Sequence, residues 1–449
     1  MEANSRLPSS RALARSLGVS RNTVLSSYEL LLGEGYAVSL GGSGTFVAPD
    51  AMRALRPAES AAQEPRALSA LADELRVWRA PISSNPARAF RPASPAVDLF
   101  PYALWSRVLA HTVRDGGFMT DGDVAGYGVL REQIAHHLRA FRSCRCSADQ
   151  VIITTGSQMA HALCAMVLID PGDAVWFEEP GYPEARLAYR AQTSRIIPVP
   201  VDDDGIDIAA GKAISPKPRL ICTTPTHQWP LGSYMPVQRR LALLEFAVTC
   251  NAWIVEDDYD SDLRFDGKSY SAMQGLDETH RVIHVGSFSK ALYPGLRLGY
   301  AVVPQDIIDA FTAGRAMLDR FPNTTAQIAT AEFMERGHYA KHLRSMQEAY
   351  AERHELLSAR IESKLGASLV VRPVAAGTFS VAELSVGLDD AALARNLAHE
   401  GIESIALSAT YTGPVRRNGL ILGHAIATPE AIRTGVDTIA RLVSARGAA

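Results

Sequence analysis

The sequence predicts an α/β protein in which a mainly parallel sheet follows a small helical module. From about residue 92 onward, apolar β-branched runs alternate with amphipathic helical patterns, which is typical of a parallel sheet covered by helices. Residues 1–48 instead hold two short helical patterns and a glycine-rich hairpin. Apolar residues make up 47% of the 449 residues and charged residues 21%, so the chain can bury a sizeable core.

The composition excludes several classes of protein. No apolar run reaches the roughly 18 residues that a membrane-spanning helix needs, and the N-terminus lacks the apolar core of a secretion signal. Cys144 and Cys146 form a C-x-C without a second pair at metal-site spacing. We therefore expect a cytoplasmic protein with reduced thiols and no metal. The formal net charge of −3 gives no general attraction to nucleic acid, so DNA binding would need a local surface.

Changes in composition predict three segments along the chain. Residues 1–49 are predicted to form one small domain, and residues 92–449 the α/β part. Residues 50–91 are rich in Ala, Pro, Arg and Ser, which is typical of a linker. One short helix is expected within this linker, at Leu68–Trp78.

Two short helices joined by a tight turn are predicted near the N-terminus. Ser9 can accept hydrogen bonds from the free N–H groups of a first helical turn, and Gly18 supplies the left-handed residue that ends the helix. Ser20 begins a second helix with Val24 and Tyr28 on its apolar face. Two helices with so short a connection indicate a helix-turn-helix motif.

A β-hairpin follows the two helices. Tyr36–Leu40 and Thr45–Val47 flank the glycine-rich turn Gly41–Gly44. Together, the stretches RLPSSRALARSLGVSRNTV and GEGYAVSLGGSGTFVAP resemble the winged helix-turn-helix domain of the GntR-type bacterial regulators. The resemblance implies contacts with DNA phosphates and bases at the start of the second helix and at the tip of the wing. The residues that it implies are Arg11, Ser20, Arg21, Asn22, Thr23, Gly42 and Ser43.

The module departs from that family at its beginning. Members usually carry a further helix and loop before the LPSSR stretch, whereas six residues precede Leu7 in this sequence. That helix covers the apolar faces of the next two, and leaving such side chains in water costs about 1.5–3 kcal/mol each. We therefore expect either a true start upstream of Met1 or an incomplete DNA-binding module.

The strongest chemical pattern is SFSKALYPGLRLG at Ser287–Gly299, directly after the predicted buried strand Arg281–Val285. An amine just beyond a strand end, close in sequence to a hydroxyl and a guanidinium, suits an aldehyde cofactor that carries a phosphate. Lys290 would form a Schiff base with the aldehyde, while Ser287 and Arg297 would hold the phosphate. A lone S-x-x-K motif also occurs in serine hydrolases, so the assignment depends on the rest of the pattern.

Other strand ends supply matching groups. The predicted strand Ala252–Tyr259 ends in acids, and Asp257 there can pair with a protonated pyridine nitrogen while Tyr259 reaches the ring oxygen. After the strand at Ala174–Phe177, the ring of Tyr182 could stack on the pyridine.

A predicted phosphate cup lies at the start of a helix. Gly156, Ser157 and Gln158 follow the strand Val151–Thr155 and open an amphipathic helix, where free N–H groups and the helix dipole favour an anion. A fifth predicted strand, Leu220–Thr224, leads into the polar loop that contains His227. Polar residues therefore follow five predicted strands, as is typical of the ligand crevice of an open α/β sheet.

These motifs resemble the fold-type-I aminotransferases, whose cofactor is pyridoxal 5′-phosphate, from about residue 92 to the C-terminus. The resemblance implies a large cofactor domain at about 115–325 and a small C-terminal domain at about 326–449. It also implies that Gln228 lies near the position of a cofactor-binding Asn, although HQWPLG differs in spacing from the usual N-P-x-G. The implied cofactor-binding residues are Gly156, Ser157, Gln158, Tyr182, Gln228, Asp257, Tyr259, Ser287, Lys290 and Arg297.

The combination of winged helix, linker and aminotransferase-like domain resembles the MocR subfamily of the GntR-type regulators. The resemblance implies a head-to-tail homodimer that binds operator DNA. A small-molecule effector (an amino acid, an amine or the cofactor itself) would then act through the cofactor and change the affinity for DNA.

Three departures weaken the resemblance to a working aminotransferase. Ile421 lies where aminotransferases place the Arg that binds the substrate carboxylate, and Glu184 lies where some relatives place another Arg. The segment Thr120–Val124 lacks the Tyr that touches phosphate across the subunit interface, and Tyr127 is a weak substitute.

Three functions remain open from the sequence. The first is a regulator that has lost most transamination ability, the second a working aminotransferase with a vestigial DNA-binding segment, and the third a regulator that senses the cofactor itself. The sequence favours the regulator, because a recognition helix and a wing serve no purpose in a plain enzyme. Of the histidines, His161 and His424 are expected to be packed in the core, whereas His227, in a strand-end loop, is the better functional candidate.

Overall fold

The computed structural model describes residues 2–51, 67–77, 88–117, 119, 122–385 and 387–444. It divides into two compact units, Met1–Arg79 and Ala80–Ala449. Most of the predicted linker at 50–91, together with Thr120 and Asp121, lies outside the described residues. The short helix that we expected at Leu68–Trp78 is present at Ala70–Val77 (α3).

The first unit contains the two predicted helices, Ser10–Leu17 (α1) and Arg21–Gly33 (α2). Each begins behind a serine whose hydroxyl accepts a backbone N–H, Ser9 for α1 and Ser20 for α2. Gly18 ends α1 in the left-handed region, with φ of 64°. The buried core of this pair consists of Ala14, Val24 and Tyr28.

The predicted wing is an antiparallel pair of strands, Ala37–Leu40 (β1) and Gly44–Val47 (β2). The chain before α1 adds a further segment to this hairpin, because Leu7 N–H donates to the Thr45 carbonyl (2.8 Å) and Val47 N–H donates to the Ser5 carbonyl (2.9 Å). This pairing has no signature in the sequence, since residues 2–7 carry no strand pattern.

The second unit is built on a large sheet whose strands, in chain order, are Val151–Thr154 (β3), Val175–Glu179 (β4), Ile196–Asp202 (β5), Gly205–Ile206 (β6), Leu220–Thr223 (β7), Trp253–Asp258 (β8), Val282–Ser287 (β9) and Gly299–Val302 (β10). Their spatial order is β3-β10-β9-β8-β7-β4-β5-β6. Strands β9, β8, β7, β4 and β5 pair in parallel, whereas β10 and β6 are antiparallel to their neighbours. The predicted mainly parallel α/β sheet is confirmed.

Helices pack on both faces of this sheet. Neighbouring strand residues therefore point into two different apolar cores. Val151 and Ile153 lie in one core, and Ile152 between them lies in another. The helices before the second sheet are Tyr102–Asp115 (α4), Gly128–Arg142 (α5), Ser157–Leu168 (α6), Pro183–Arg190 (α7), Ile208–Ile214 (α8), Val237–Cys250 (α9), Met273–Leu276 (α10), Ile308–Asp319 (α11) and Thr324–Glu335 (α12).

A smaller antiparallel sheet lies toward the C-terminus, in the order β11-β12-β14-β13. Its strands are Leu369–Val371 (β11), Ser380–Leu384 (β12), Ile405–Ala406 (β13) and Gly419–Leu422 (β14). The accompanying helices are His338–Leu365 (α13), Asp390–His399 (α14) and Pro429–Ser444 (α15).

Packing moves three of the predicted boundaries. Phe90 is fully buried among residues of the small sheet, so the last residues of the predicted linker 50–91 already belong to the second unit. Trp105 of α4 and Phe333 of α12 share one core with Val151. Helices that lie outside the predicted range 115–325 therefore contribute to the large domain.

Within the described part of the chain, no helix combines the length and the apolar composition that crossing a membrane requires.

Candidate functional site

A cavity of about 170 Å³ lies beside the edge of the large sheet where the parallel strands end. Eight of the ten predicted cofactor-binding residues line it: Ser157, Gln158, Tyr182, Asp257, Tyr259, Ser287, Lys290 and Arg297. The other lining residues are Ala93, Trp229, Ser289 and Pro294. Strand ends far apart in the sequence thus bring one amine, one carboxylate, hydroxyl groups and a guanidinium to the same cavity.

Lys290 stands just beyond strand β9, and its Nζ donates a hydrogen bond of 2.7 Å to the carbonyl of Ala93. Burial lowers the pKa of Lys290, although the carboxylates of Asp260, Glu184 and Asp257 oppose the shift. A lowered pKa leaves more of the amine neutral, which is the form that attacks an aldehyde.

Asp257, near the end of β8, is held by a buried histidine. Its Oδ2 lies 3.0 Å from His161 Nε2, and His161 Nδ1 lies 2.9 Å from the hydroxyl of Tyr189. The second carboxylate oxygen, Oδ1, is buried and has no protein hydrogen-bond partner. Because buried polar atoms normally have partners, this oxygen fits the N–H of a ligand ring.

His161 is fully buried, as we expected of a packed histidine, but sequence reasoning missed its contact with Asp257 of the cavity. It lies four residues after Ser157, so on helix α6 it shares a face with the predicted cup. That spacing was the available signal. His424, by contrast, is packed as expected, with Nδ1 3.0 Å from Ser380 Oγ.

The cup combines a helix start with a glycine that no other residue could easily replace. Gly156 precedes α6 with φ of 114°, and a Cβ there would lie 3.3 Å from the guanidinium of Arg297. The first N–H groups of α6 have no carbonyl partners inside the helix and point toward this end. The backbone of β10 also approaches the cup closely. A Cβ on Gly299 would lie 2.9 Å from the backbone of Gly156.

Aromatic rings form another part of the cavity. The rings of Tyr182 and Trp229 meet edge to face with centroids 5.6 Å apart. The hydroxyl of Tyr259 lies 3.2 Å from His227 Nδ1, which also lies 2.8 Å from Asp260 Oδ2. His227, the histidine favoured by its strand-end loop, therefore contacts a residue of the cavity wall without lining the cavity itself.

Gln228 is placed differently from the expectation that it contacts the cofactor. Its Nε2 donates to Glu178, to the Pro180 carbonyl and to the Trp229 carbonyl, and its Oε1 accepts the N–H of Leu231. These bonds join its loop to Glu178 and Pro180 at and just beyond the end of β4, and Gln228 does not line the cavity. The neighbouring Trp229 lines it instead, because the W-P-L-G tetrapeptide has the N-P-x-G spacing.

The two positions where aminotransferases place an arginine for the substrate carboxylate are occupied by Ile421 and Glu184. Ile421 is fully buried in an apolar cluster with Phe379 and Val381. Burial raises the pKa of Glu184, and the charge of Lys290 opposes the shift. Arg417 pairs with Glu383 (2.9 Å) and Asp203 (3.2 Å) instead of reaching the cavity.

The predicted DNA-contacting residues are all exposed on the surface of the first unit. Ser20, Arg21, Asn22 and Thr23 are exposed at the start of α2, and Arg11 is exposed in the first turn of α1. Gly42 and Ser43 are exposed in the turn of the wing. The hydroxyl of Ser20 accepts the N–H of Thr23 (3.1 Å) and also lies 2.9 Å from the Thr23 hydroxyl. Ser20 thus positions the start of this helix.

Among the described residues, no group of three or more His, Cys, Asp and Glu side chains could hold a metal ion. Cys144 and Cys146 are buried free thiols, and burial raises the pKa of each.

Comparison with known proteins agrees with this arrangement. Residues 106–435 match the aminotransferase class I and II family, whose members generally use pyridoxal phosphate. Residues 1–47 match the gntR family of bacterial regulatory proteins, which bind DNA operators. A relative from Rhizobium meliloti, named the probable rhizopine catabolism regulatory protein MocR, is 38% identical over 98% of this chain and 89% of its own length. This chain belongs to the MocR family.

Solved structures share the fold of the second unit of this chain. An archaeal alanine:glyoxylate aminotransferase is 27% identical with a TM-score of 0.75, covering 84% of this chain and 96% of its own. The α-aminoadipate aminotransferase LysN from Thermus thermophilus, solved with N-(5′-phosphopyridoxyl)-L-leucine, is 26% identical with a TM-score of 0.73. That match covers 80% of this chain and 92% of LysN. The expected fold-type-I aminotransferase architecture is confirmed.

Proposed function

We propose that this chain is a transcriptional regulator that binds operator DNA through its first unit and senses a small molecule through pyridoxal 5′-phosphate in its second. The observation that carries the proposal is one chain holding both an exposed recognition-helix start and a half-buried lysine beside a phosphate cup. Such a protein uses the cofactor to bind the small molecule that it senses. It does not need the additional residues that position a substrate for turnover.

The residues of the cavity fit this cofactor. Asp257 Oδ1, buried and without a partner, would accept the ring N–H, while His161 holds the other oxygen. The amine of Lys290 would bond to the aldehyde carbon. When bound, pyridoxal phosphate supplies a carbonyl that reacts with amines and a ring that withdraws electrons.

The remaining cavity residues would hold the cofactor in place. The phosphate would lie at the start of α6, contacted by Ser157, Ser287 and Arg297. Charge-assisted hydrogen bonds contribute about 1.5–3 kcal/mol each, so three or four of them would hold the phosphate firmly. The ring of Tyr182 would stack on the pyridine, and Tyr259 would hydrogen-bond its ring oxygen.

The first unit would place α2 in the major groove of DNA. Arg21, Asn22 and Thr23 would contact bases or phosphates at the helix start, and Gly42 and Ser43 would approach the backbone from the wing. Membership of the MocR family supports a DNA-binding domain within 1–49. It also supports a head-to-tail homodimer, which would bind two half-sites.

Selection of genomic DNA tests the proposal. The full chain, loaded with pyridoxal phosphate, is mixed with sheared DNA of the source genome, and retained fragments are sequenced. We expect strong enrichment of a few promoter fragments by the natural protein. The doubly substituted Arg21→Ala, Asn22→Ala protein should lose that enrichment.

The matched control is Arg433→Ala, an exposed arginine on α15 of the second unit. It should leave the enrichment unchanged. Equal recovery of all fragments by the natural protein, at salt low enough to permit non-specific binding, would contradict the proposed function.

A second candidate function is a working aminotransferase with a vestigial DNA-binding segment. It is favoured by the exposed apolar side chains of the first unit, because Leu17 and Leu30 are 62% and 61% exposed. Steady production of keto acid from amino acids at about 1–10³ per second would establish it.

A further inference from the structure

His227 and Asp260 form a buried pair beside the candidate cofactor cavity. His227 Nδ1 lies 2.8 Å from Asp260 Oδ2, and the two residues are 3% and 4% exposed. Neither residue lines the cavity, but His227 Nδ1 also lies 3.2 Å from the hydroxyl of Tyr259, which does line it. Under the proposed function, Tyr259 bonds the ring oxygen of the cofactor. The pair is then one contact away from that oxygen.

The carboxylate of Asp260 decides how the protons of this group are arranged. A carboxylate accepts hydrogen bonds and does not donate them, so Nδ1 of His227 carries a proton directed at Asp260. An Nδ1 that carries a proton cannot accept one, so the oxygen of Tyr259 faces His227 as an acceptor. The hydroxyl proton of Tyr259 is therefore left for another acceptor, and the ring oxygen of the cofactor would be that acceptor.

Residues next to the small sheet also contact the pair. The ring of His227 stacks on Phe379, with ring centroids 5.3 Å apart and planes at 29°. Gly377 has φ of 89°, and a Cβ there would lie 2.5 Å from Asp260 Oδ2 and would clash with the ring of His227. Only glycine permits this close approach. Because Gly377 N–H donates to the carbonyl of Leu263 (3.1 Å), a backbone bond keeps this segment against the pair.

Asp260 also acts on Lys290 through its charge. Burial lowers the pKa of Lys290, and the carboxylate of Asp260 opposes this shift more strongly than those of Glu184 and Asp257. The charge of Arg91 acts in the other direction and lowers the pKa of Lys290 further. Asp260 is thus the acid that most favours a positive charge at the nitrogen of Lys290.

The charges around Asp260 itself leave Tyr259 as the proton donor. Burial raises the pKa of Asp260, and the charge of Asp258 adds to this shift, whereas His227 and Lys290 oppose it. Burial, together with the charge of Asp260, also raises the pKa of Tyr259. The hydroxyl of Tyr259 therefore keeps the proton that it would donate.

We propose that His227 and Asp260 are a positioning pair for the cofactor. His227 directs the hydroxyl proton of Tyr259 to the ring oxygen, and Asp260 stabilises positive charge at the nitrogen of Lys290. The inference rests on the proposed function and deepens it, because it names residues that regulate the same site. Since Phe379 stacks on His227, a displacement of that segment would also reach the cofactor through this pair.

The two members of the pair act in opposite directions on one proton. This proton lies on the nitrogen that joins Lys290 to the bound cofactor. A hydrogen-bond donor to the ring oxygen replaces part of the bond that this proton makes to the same oxygen, so the donor favours loss of the proton. A nearby carboxylate favours its retention.

A pH titration of the bound cofactor tests the inference. The absorption spectrum of the cofactor changes when the nitrogen that joins it to Lys290 gains a proton, so the absorbance of the full chain at saturating pyridoxal phosphate gives the midpoint of this titration. His227→Phe removes the N–H and leaves the Asp260 carboxylate to accept the proton of Tyr259. The midpoint should therefore rise by about one pH unit.

Asp260→Asn should move the midpoint the other way. The amide oxygen of Asn can still accept from His227 Nδ1, but the negative charge near Lys290 is lost, so the midpoint should fall by about one pH unit. His227→Asn is the conservative variant, because its amide nitrogen can replace Nδ1 as a donor, and its midpoint should stay close to that of the natural protein. His136→Phe, at an exposed position on α5, is the matched control and should change nothing.

Circular dichroism spectra that match the natural protein would show that the variants fold. If the phenylalanine variant does not fold, His227→Gln takes its place. The longer side chain of Gln carries its amide near the position of Nε2 instead of Nδ1, so this variant should also raise the midpoint.

Each outcome decides the question. Opposite shifts at His227 and Asp260, with rescue by His227→Asn, would support the inference. Midpoints that stay in place, or that move in the same direction in both variants, would overturn it and leave the proposed function standing. A natural protein without any absorbance from bound cofactor would overturn both. Because the titration uses no DNA, the expected shifts in a protein that selects no DNA would support the inference and contradict the regulator proposal.

Discussion

The two units of this chain present their functional groups in opposite ways. In the first unit, neighbours in sequence lie side by side on an exposed helix start, and Arg21, Asn22 and Thr23 face solvent. In the second unit, residues as distant as Ala93 and Lys290 meet in one cavity, where Asp257 is almost fully buried. The first arrangement suits a large, hydrated, anionic partner such as DNA. The second suits a small molecule that is desolvated when it binds.

The difference also sets how strongly single substitutions should act. An exposed side chain contributes its own contact, whereas a buried charge that loses its partner leaves the other group uncompensated. We therefore expect the largest effects in the cavity and smaller ones on the helix.

Asp257→Asn should have the largest effect of the four substitutions below. The amide keeps the shape and can still contact His161, but it cannot neutralise a protonated pyridine. Breaking a buried charge pair costs about 3–5 kcal/mol, so the affinity for pyridoxal phosphate should fall by at least about a hundredfold. Fluorescence titration of cofactor-free protein measures this affinity. Asp309→Asn, at an exposed site on α11, should change it little, and an unaffected Asp257→Asn protein would remove this residue from the cofactor site.

Gly156→Ala should act next most strongly. The position has φ of 114°, and the added Cβ would lie 3.3 Å from Arg297. Strain of this kind costs about 1–3 kcal/mol, so the free energy of unfolding should fall and phosphate binding should weaken. Denaturant unfolding with and without phosphate measures both quantities. Gly128→Ala is the matched control, because nothing lies within 4 Å of its Cβ position. Equal stability of the two variants would show that alanine is not strained at position 156.

Arg21→Ala tests the exposed side of the comparison. If Arg21 reads a base, the affinity for an operator fragment should fall by about 1–3 kcal/mol, and mostly for that sequence. If it contacts a phosphate instead, the loss should be similar for all sequences, and the salt dependence should become shallower. Gel-shift titration at several salt concentrations separates these results. An unchanged affinity would show that Arg21 does not contact DNA.

Glu184→Gln should give the smallest effect, a shift in pH dependence. Burial lowers the pKa of Lys290, and the carboxylate of Glu184 partly offsets this by stabilising the ammonium. Removing that negative charge should lower the pKa of Lys290 further. The rate at which cofactor-free protein takes up pyridoxal phosphate rises as the amine loses its proton, so its pH profile should move to lower pH. A profile that stays in place or moves upward would contradict this electrostatic link.

The contrast between the units also explains what the sequence could predict. Helix caps act within a few residues, so the sequence alone was enough to predict them. Ser9 and Ser20 begin the two helices, and Gly18 ends the first. The strand ends were readable too, because polar residues follow apolar runs. Long-range partners were not: nothing near Ala93 indicates that its carbonyl accepts a bond from Lys290, 197 positions away in sequence.

Gln228 and His161 show the same limit in opposite directions. Gln228 stood at the expected place in a motif, but its amide bonds to the Trp229 carbonyl beside it and to Glu178 and Pro180 in a distant part of the chain. His161 is buried as expected, but the sequence did not show that its partner would be the carboxylate of Asp257. Periodicity places a side chain on a face, and only the packing of distant strands decides which partner it meets.

The central claim is that pyridoxal phosphate is anchored covalently at Lys290. Reduction of the cofactor-loaded full chain with borohydride, followed by peptide mass spectrometry, tests it directly. The account predicts one phosphopyridoxyl group on the peptide that contains Lys290, and none on any peptide of a Lys290→Ala variant. An adduct that persists unchanged in the variant, or a natural protein that carries none after incubation with excess cofactor, would contradict the account.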